Sequence, residues 1–392
     1  MTNARLDVGL RRHGIRLGTL LVLGLGLLAV GCSAPETSPE HTRIGYVHGT
    51  VDVSAEDARR LTHINYAFAN VTEEGRVVLE QERDSLNLAR LRDLKSANPD
   101  LKIVLSIGGW AWSDYFSDAA RTDSSRARFA RTAVDLLAKH DLDGLDLDWE
   151  YPGQPGQDNV YRPEDKENFT RLLRTVRRHL EKQGRADGRT GDERYLLTIA
   201  AGGDAEYLAH TNMAAAHTPL DYVNLMTYDF HGGWSDHTGH LANLYPPAAP
   251  DTLQRSAATA VNMFVKAGVP PQKLVLGVPF YGRGWSGAGA RDDGLYQRYD
   301  TSRGSYSYDT LANHVATQPG FERQWDAVAR ASTLWAPDSS VLITHETPRS
   351  LRAKAHYVQS RGLGGVMYWE HSADDGTLLR TLQEQLPEGR SG

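Results

Sequence analysis

The sequence predicts an α/β fold: a (β/α)8 or TIM barrel with a small α+β insertion between the seventh and eighth strands. Eight short runs of apolar and β-branched residues recur along the chain, and helical stretches lie between them. One interval near the C-terminus departs from this alternation. Because strands that alternate with helices form parallel sheets, eight such units favour a closed barrel over an open doubly wound sheet.

The composition is that of a globular protein with a large core. Of the 392 residues, 40% are hydrophobic and 23% are charged, which is too apolar for a disordered chain or a coiled coil. The formal net charge is −6, and residues 1–31 contribute +3 (four arginines, one aspartate), which leaves −9 for the remainder. A surface this acidic offers no basic patch to phosphates, so we expect no nucleic-acid partner.

The first 41 residues carry signals for export and attachment. Arg11, Arg12 and Arg16 precede the apolar run 17–30, which is too short to span a hydrocarbon core of about 30 Å and is typical of a signal peptide over residues 1–31. Residues 28–32 resemble a bacterial lipobox, in which Cys32 would become the lipidated first residue. An ordinary secretory signal with an incidental cysteine is the alternative. Residues 32–41 are small and polar and contain proline, which predicts a tether.

Localisation and redox chemistry follow from this segment. We expect the protein to be anchored by lipid to the outer face of a bacterial cell membrane, or to be secreted, with no membrane contact other than a lipid at Cys32. Because Cys32 is the single cysteine, an intrachain disulfide framework and zinc sites built on several thiolates are excluded.

Each element follows from its local pattern. Strand-like runs lie at 44–47, 63–69, 102–107, 144–150, 195–201, 222–228, 273–279 and 364–369. The regions between them predict helices over 85–97, 124–139, 163–183, 252–267 and 350–359. Residues 284–348 are rich in Gly, Tyr and Asp, and they predict the insertion, which would wall one side of a cleft. The barrel with its insertion is expected over residues 42–383, followed by a tail at 384–392.

The fourth predicted strand carries three carboxyl groups in alternation. Because alternate side chains of a strand share a face, Asp146, Asp148 and Glu150 point into the barrel together. The other face, which suits packing against helices, carries Leu145, Leu147 and Trp149. Burying three carboxyls spaced about 6–7 Å apart along a strand is costly, so we expect at least one to hold a proton. A divalent-metal site is the alternative, but nothing else in the sequence looks like one, so no metal or cofactor is expected.

Five motifs lie on or just after predicted strands: Ser106-Ile-Gly-Gly-Trp110, Asp143-Gly-Leu-Asp-Leu-Asp-Trp-Glu-Tyr-Pro152, Met226-Thr-Tyr-Asp-Phe-His-Gly232, Tyr281-Gly-Arg283 and Met367-Tyr-Trp-Glu370. In this order they resemble glycoside hydrolase family 18, the chitinases and related endo-N-acetylglucosaminidases. The resemblance covers residues 42–375. It implies a (β/α)8 barrel and, for the deep-cleft members, an α+β insertion between strands seven and eight, where the composition also predicts one.

The resemblance implies a mechanism in which the substrate supplies the nucleophile, the carbonyl oxygen of its 2-acetamido group. Glu150 would protonate the departing glycosidic oxygen and then act as a base toward water, so its pKa should be raised. Asp148 would accept the acetamido N–H, and Asp146 behind it would share a proton with Asp148. Tyr228 would donate its phenol to the acetamido carbonyl oxygen.

The resemblance also implies sugar contacts, among which Trp369 would be the aromatic floor at the cleavage site. A core role is the alternative for Trp369 and Tyr46, since barrels also bury aromatic rings. Trp112, Trp234 and Trp285 follow predicted strands and are either further sugar platforms or structural. The implied binding residues are Gly108, Gly109, Trp110, Tyr151, Met226, Asp229, Arg283, Trp369 and Tyr46. The two glycines would let the backbone approach the sugar.

The expected activity is retaining hydrolysis of β-1,4 linkages between N-acetylglucosamine units of chitin or chitooligosaccharides by a monomer. The run Gly109-Trp110-Ala-Trp112 and the insertion favour this substrate. The same chemistry on N-glycans or on a wall polysaccharide stays open. So does a non-catalytic chitin-binding lectin, although lectin-like members typically lack the acid at the position of Glu150.

Overall fold

The computed structural model describes residues 1–2, 41–248 and 254–387. The chain divides into two compact units, Met1–Ser38 and Pro39–Gly392, and the fold presented here belongs to the second. The expected signal peptide, Cys32, all of the tether but its last residue, and most of the C-terminal tail lie outside the described residues.

Fourteen strands form in the described part of the chain. They are β1 (Thr42–His48), β2 (His63–Val71), β3 (Val77–Val78), β4 (Lys102–Gly108), β5 (Gly144–Asp148), β6 (Leu196–Gly202), β7 (Tyr222–Met226), β8 (Leu274–Pro279), β9 (Tyr281–Ser286), β10 (Thr301–Ser307), β11 (Glu322–Asp326), β12 (Ala331–Ala336), β13 (Val341–His345) and β14 (Gly365–Trp369). Eight of these pair in parallel in the order β1-β14-β8-β7-β6-β5-β4-β2, and β1 also pairs with β2. The sheet is therefore a closed eight-stranded barrel, which confirms the predicted fold.

Eleven helices form in the described part of the chain, and all but the ninth, which lies in the insertion, connect or follow strands of the barrel. They are α1 (Ala55–Arg60), α2 (Glu82–Asp93), α3 (Phe116–Arg121), α4 (Asp123–Lys139), α5 (Asp165–Ala186), α6 (Ala205–Ala209), α7 (Met213–Ala216), α8 (Ala257–Lys266), α9 (Tyr308–Thr310), α10 (Pro348–Ser360) and α11 (Thr377–Gln385). Shorter helical turns lie at Leu94–Ser96, Gly191–Glu193, Pro271–Lys273, Arg291–Gly294, Leu311–Val315, Pro337–Ser339 and His371–Ala373. No helix in the described part of the chain is long and apolar enough to cross a bilayer.

Two of the predicted helices, α4 and α10, start within two residues of the predicted position, and a capping threonine precedes each of them. Thr122 is the N-cap of α4, and its hydroxyl accepts the Ser125 N–H at 3.1 Å. The helix therefore starts at Asp123, one residue before the predicted start. Thr347 accepts the Ser350 N–H in the same way and begins α10. Helix α11 was not predicted. It follows Gly376, which has no side chain, and the N–H groups of its first turn are accepted by the Asp374 and Asp375 carboxylates just before it.

The main core lies between the barrel and its helices. Leu145 and Leu147 of β5 are buried in it, and the Trp149 ring stacks on Phe116 of α3 with 5.4 Å between ring centroids. Phe169 of α5 packs edge-on against the same indole at 5.8 Å. This face of β5 therefore packs against helices as predicted, and it leaves the other face for the barrel interior.

The insertion is a five-stranded antiparallel sheet between barrel strands β8 and β14. Its order is β10-β9-β13-β12-β11, and it runs from Tyr281 to His345, starting and ending three residues before the range 284–348. Leu311, Leu334 and Ile343 form its core on one side. The predicted α+β insertion is confirmed. The earlier start has a physical cause: β9 pairs with both β10 and β13, so a strand that follows β8 almost directly belongs to the second sheet.

Candidate active site

Three carboxyl groups lie inside the barrel at the C-terminal end of β5. Asp146 is 0% exposed, Asp148 is 5% exposed, and Glu150, just beyond the strand, is 9% exposed. The active sites of barrels of this class lie at the carboxyl ends of their strands, so these three groups occupy the expected end.

Asp146 is held by hydrogen bonds from four other barrel strands. The Tyr46 and Ser106 hydroxyls donate to Asp146 Oδ2, each at 2.8 Å. Thr198 Oγ1 donates to Asp146 Oδ1 at 2.6 Å, and Asn224 Nδ2 donates to the same oxygen at 3.2 Å. Burial raises the pKa of Asp146, and these hydrogen bonds lower it. The four donors thus offset part of the effect of burial and favour a negative charge at this position.

Asp148 is less well satisfied than Asp146. Its Oδ1 atom is buried without a hydrogen-bond partner among the described residues. Burial raises the pKa of Asp148 well above its usual range, and the charges of Glu150 and Asp146 raise it further. Burial thus favours the protonated form of Asp148, and one of its oxygens is available to accept a hydrogen bond from a ligand.

Glu150 is a carboxyl group that titrates near neutrality. Burial raises its pKa from 4.5 to about 7, a hydrogen bond from Tyr151 lowers it, and the charge of Asp229 raises it. The Tyr151 ring in turn lies edge-on to Trp110, whose side chain is exposed, with 6.4 Å between ring centroids. A group with this pKa is able both to donate a proton and to accept one in the same reaction.

Tyr228 lies beside the carboxyl groups as a phenol. Its ring packs edge-on against Tyr281 at 6.3 Å. Burial raises the pKa of Tyr228 well above its usual range, and the charges of Asp148 and Glu150 raise it further. The phenol therefore stays protonated, and no described residue receives a hydrogen bond from it, so it is a donor available to a ligand.

Trp369, at the end of β14, is half-buried and has an aromatic support. Its ring stacks on Phe68 with 5.6 Å between centroids and an interplanar angle of 18°, and it lies 5.9 Å from the Tyr46 ring. Met226 packs against the same cluster. Tyr46, for which a core role and a sugar contact were both open, has its ring buried in this cluster and donates its hydroxyl to Asp146, and its contact with a sugar stays a prediction.

Gly108 ends β4 and Gly109 follows it, with φ angles of 103° and 79°, which favour glycine. A Cβ on Gly109 would lie 2.6 Å from the Phe68 ring, and a Cβ on Gly108 would collide with the Asp148 carbonyl oxygen. Packing within the chain is therefore enough to require both glycines. Their contact with a sugar stays a prediction.

Asp229 and Arg283 form an ion pair that joins the loop after β7 to the insertion. Arg283 Nε and Nη2 donate to the two Asp229 carboxylate oxygens at 2.7 and 2.9 Å. The guanidinium also lies 4.6 Å over the ring of Trp234, which is 60% exposed. Trp285, by contrast, is 0% exposed in the insertion and donates its Nε1–H to Gly232 O, so it is structural and no sugar platform. Trp112 is half-buried.

The carboxyl cluster does not have the arrangement of a metal site. In the described part of the chain, no group of three His, Cys, Asp or Glu side chains is placed to hold a metal ion. The Asp146 oxygens accept hydrogen bonds from protein donors, which leaves few lone pairs for a cation. Activity without a metal stays a prediction.

The sequence model of the family "Glycosyl hydrolases family 18" matches residues 40–374 of the chain. The chain belongs to this family. It is 43% identical over 319 residues to chitinase A1 of Niallia circulans, a match that covers 77% of this chain and 45% of that protein. It is 32% identical over 352 residues to chitinase 1 of Aphanocladium album, a match that covers 84% of this chain and 80% of that protein.

Two solved structures resemble this chain in fold. An N-acetylglucosaminidase of the family from Paenibacillus barengoltzii superposes with a TM-score of 0.82 at 41% identity, covering 88% of this chain and 100% of that one. A chitinase from Bacillus thuringiensis superposes with a TM-score of 0.83 at 32% identity, covering 88% of this chain and 70% of that one. The chain spans less than half the length of chitinase A1.

Sequence reasoning assigned no role to several residues that shape the site of this family 18 hydrolase. Ser106 and Thr198 lie in register with Asp146 on the two neighbouring strands, and Asn224 reaches it from β7. The available signal was a small polar residue at an inward position of an otherwise apolar strand. Phe68, under Trp369, carried no such signal.

Proposed function

We propose that this hydrolase cleaves β-1,4 linkages between N-acetylglucosamine units of chitin or chitooligosaccharides with retention, using the substrate's 2-acetamido oxygen as nucleophile. Relatives named chitinases support the substrate class. A retaining enzyme that uses two carboxyls flanks the scissile bond with a pair about 5–5.5 Å apart. Here Asp148 and Glu150 are two residues apart at one end of β5. That shared position at the C-terminal end of one strand is the observation that carries the proposal.

The other nearby carboxylates are already engaged. Asp229, whose charge acts on Glu150, is paired bidentately with Arg283. Asp146 accepts four hydrogen bonds. A carboxylate so engaged is a poor nucleophile, because attack would require it to give up these partners. The attacking group therefore comes from the sugar, where an intramolecular nucleophile held in place has a large effective concentration.

Glu150 acts as the general acid and then as the general base. Burial raises its pKa to about 7, so a substantial fraction of the enzyme carries this proton near neutral pH, and that form delivers it to the leaving glycosidic oxygen. After the leaving sugar departs, the same carboxylate removes a proton from water as water attacks the cyclic intermediate. Microscopic reversibility requires one group to serve both steps.

Asp148 and Tyr228 hold the acetamido group between them. The unpartnered Asp148 oxygen accepts the acetamido N–H, and the Tyr228 phenol donates to the acetamido carbonyl oxygen. As positive charge develops on the oxazolinium ion, transfer of the Asp148 proton toward Asp146 leaves a negative charge next to it. Preorganised groups of this kind stabilise the transition state more than the ground state.

Trp369 is the floor of the cleavage subsite, because a pyranose ring presents C–H groups to an aromatic face and Phe68 supports the indole from one side. Trp110 and Trp234 are exposed and supply further sugar platforms. The remaining binding roles are proposed for Gly108, Gly109, Tyr151, Met226, Asp229 and Arg283.

Partly deacetylated chitosan tests the substrate-assisted mechanism. Cuts should follow only N-acetylated units, because a protonated amine cannot attack and would bring a cation to the Tyr228 donor. Sequencing the new reducing ends measures this, and NMR of the initial product should show the β-anomer. Glucosamine at the new ends as often as N-acetylglucosamine, or an initial α-anomer, would overturn the mechanism. The product ladder from chitin hexamer reports the mode of attack on the same enzyme.

Export and attachment are proposed from the sequence. Residues 1–31 act as a signal peptide, and Cys32 is lipidated at the start of the tether 32–41, which precedes the catalytic unit 42–383. A labelled fatty-acid precursor should enter the wild-type protein and not the Cys32→Ala variant. Unlipidated native protein found only in the medium would reduce the segment to an ordinary signal. A monomer in solution is proposed as well, and sedimentation checks it.

A further inference from the structure

Ser113 is a fully buried serine whose hydroxyl lies between two parts of the active site. It is 0% exposed and belongs to the turn that follows β4. Its Oγ accepts the main-chain N–H of Glu150 at 2.9 Å. The same oxygen lies 3.0 Å from the Gly109 carbonyl oxygen and 3.3 Å from the Asp148 carbonyl oxygen, so its single hydrogen is donated to one of the two.

This hydroxyl ties the turn 109–113 to the end of β5. The Gly109 N–H donates to the Asp148 carbonyl oxygen at 2.8 Å, which makes a second link between the same two segments. Beyond Asp148 the strand has ended, so the Glu150 N–H has no strand partner and Ser113 supplies its acceptor. A buried N–H left without an acceptor is costly, and the serine therefore determines where the Glu150 backbone lies.

The turn that Ser113 closes also carries Trp110, an exposed side chain proposed to contact sugar. Trp110 contacts the Tyr151 ring, and Tyr151 donates a hydrogen bond to the Glu150 carboxyl. The turn 109–113, which carries Trp110, is thus linked to Glu150 at two points. Ser113 acts on its backbone and Tyr151 on its carboxyl.

We infer that Ser113 is a positioning residue for the proposed acid: its hydroxyl fixes the Glu150 backbone against the Trp110 turn so that the carboxyl reaches the leaving glycosidic oxygen. The inference rests on the proposed function of Glu150. Ser113 itself touches neither the substrate nor the transferred proton. A small misplacement of a catalytic group is enough to cost about 100-fold in rate, so one backbone hydrogen bond matters here.

Two aryl chitobiosides with leaving groups of similar size separate acid positioning from a general structural defect. Phenoxide is a poor leaving group that needs the proton, whereas 4-nitrophenoxide departs with little protonation. Ser113→Ala should lower kcat/KM for the phenyl glycoside by about 10-fold or more and for the 4-nitrophenyl glycoside by less than about 3-fold, because leaving-group protonation is worth about 10²–10⁴-fold. Most of the loss should appear in kcat.

A matched control removes a similar hydrogen bond elsewhere. Thr132 on α4 is buried, and its hydroxyl accepts the Val77 N–H at 2.9 Å, the same distance as at Ser113. Thr132→Val should lower the unfolding midpoint as Ser113→Ala does and leave the ratio of the two substrates unchanged. Ser113→Cys, which is close to serine in size but a weaker acceptor, should fold if Ser113→Ala does not, and it should show the same selective loss.

Equal losses on both glycosides, or no loss on either, would overturn the role of Ser113. Glu150→Gln measured on the same substrates distinguishes this from failure of the proposed function. If Glu150→Gln shows the selective loss and the Ser113 variants do not, only the inference about Ser113 fails. If Glu150→Gln itself affects both glycosides equally, Glu150 is not the acid and the proposed function fails with it.

Discussion

Replacing Glu150 by Gln should stabilise the folded protein above neutral pH while nearly stopping hydrolysis. The pKa of Glu150 is raised from 4.5 to about 7, with burial as the largest cause. An acid whose pKa is higher in the folded state than in the unfolded state contributes stability below the lower value. It loses that contribution as the pH rises through the higher one, because the unfolded chain releases its proton first.

The size of this effect follows from the two pKa values. The interval from 4.5 to about 7, at about 1.4 kcal/mol per pH unit, corresponds to about 3 kcal/mol of unfolding free energy lost by the wild type between these pH values. Glutamine carries no proton to lose, so the variant escapes this loss. Asp148 also stabilises the variant relative to wild type at high pH. The charge of Glu150 is one of the causes that raise the Asp148 pKa, and glutamine lacks this charge.

Denaturant unfolding of the wild type and Glu150→Gln at pH 4 and at pH 8 measures the difference. The free energy of unfolding of the variant relative to wild type should rise by about 3 kcal/mol between these pH values. Turnover of an unactivated oligosaccharide should fall by about 10²–10⁴-fold, because Gln keeps the shape but cannot deliver a proton. The variant gains stability and loses activity for one structural reason. A carboxyl that is buried in its protonated form for catalysis costs stability once it ionises.

A relative stability that stays the same at both pH values would refute the reasoning, since it would mean that Glu150 is not buried as an acid with a raised pKa. More than about a tenth of wild-type turnover in the variant would remove Glu150 from the acid role. Gln154→Ala is the control, because it changes a buried side chain of the same loop without removing a titrating group. The free energy of unfolding of this variant relative to wild type should not depend on pH.

Three further outcomes are expected. Tyr151→Phe removes the hydrogen bond that lowers the pKa of Glu150, so the alkaline limb of the kcat/KM profile should move to higher pH. Dialysis against a strong chelator should leave turnover unchanged, because the proposed chemistry uses the acetamido neighbour and no cation. Lys354→Met leaves the buried Glu346 carboxylate without its partner and should cost about 3–5 kcal/mol of unfolding free energy in denaturant titrations.

Each of these has an outcome that contradicts it. An alkaline limb that moves down in Tyr151→Phe would reverse the assigned direction of that hydrogen bond. Activity lost with chelator and restored by magnesium or calcium would revive the metal alternative. For the buried ion pair, the double variant Glu346→Gln/Lys354→Met should recover most of the lost stability, and a double variant as unstable as the single one would show that packing, not charge, dominates.

The inward direction of Asp146, Asp148 and Glu150 was predictable because it depends only on the two-residue repeat of a strand. The eight-stranded barrel was predictable for a similar reason, since the alternation of strands and helices is local and repeated. The starts of α4 and α10 were predicted to within two residues, whereas α8 starts five residues after the predicted position and α11 was missed, although capping side chains mark the first turns of both.

The partners of Asp146 depended on the tertiary structure. Tyr46, Ser106, Thr198 and Asn224 are far apart in the chain, and only barrel closure and strand register bring them to one carboxylate. The four donors lower the pKa of Asp146 against the effect of burial, whereas Asp148, two residues away, has an oxygen with no donor among the described residues and a pKa raised well above its usual range. Nothing in the alternation on β5 distinguishes these two aspartates.

The tryptophan residues also show which properties the sequence indicated and which the tertiary structure decided. The sequence indicated that Trp234 and Trp285 follow barrel strands, but it left both open as sugar platforms or core. In the structure Trp234 is exposed under Arg283, whereas Trp285 is enclosed by the insertion. Periodicity is a property of neighbours along the chain, so the sequence determines which face a side chain takes. Burial, charge and hydrogen bonding depend on segments distant in sequence, so exposure and pKa are decided only when the barrel and its insertion are assembled.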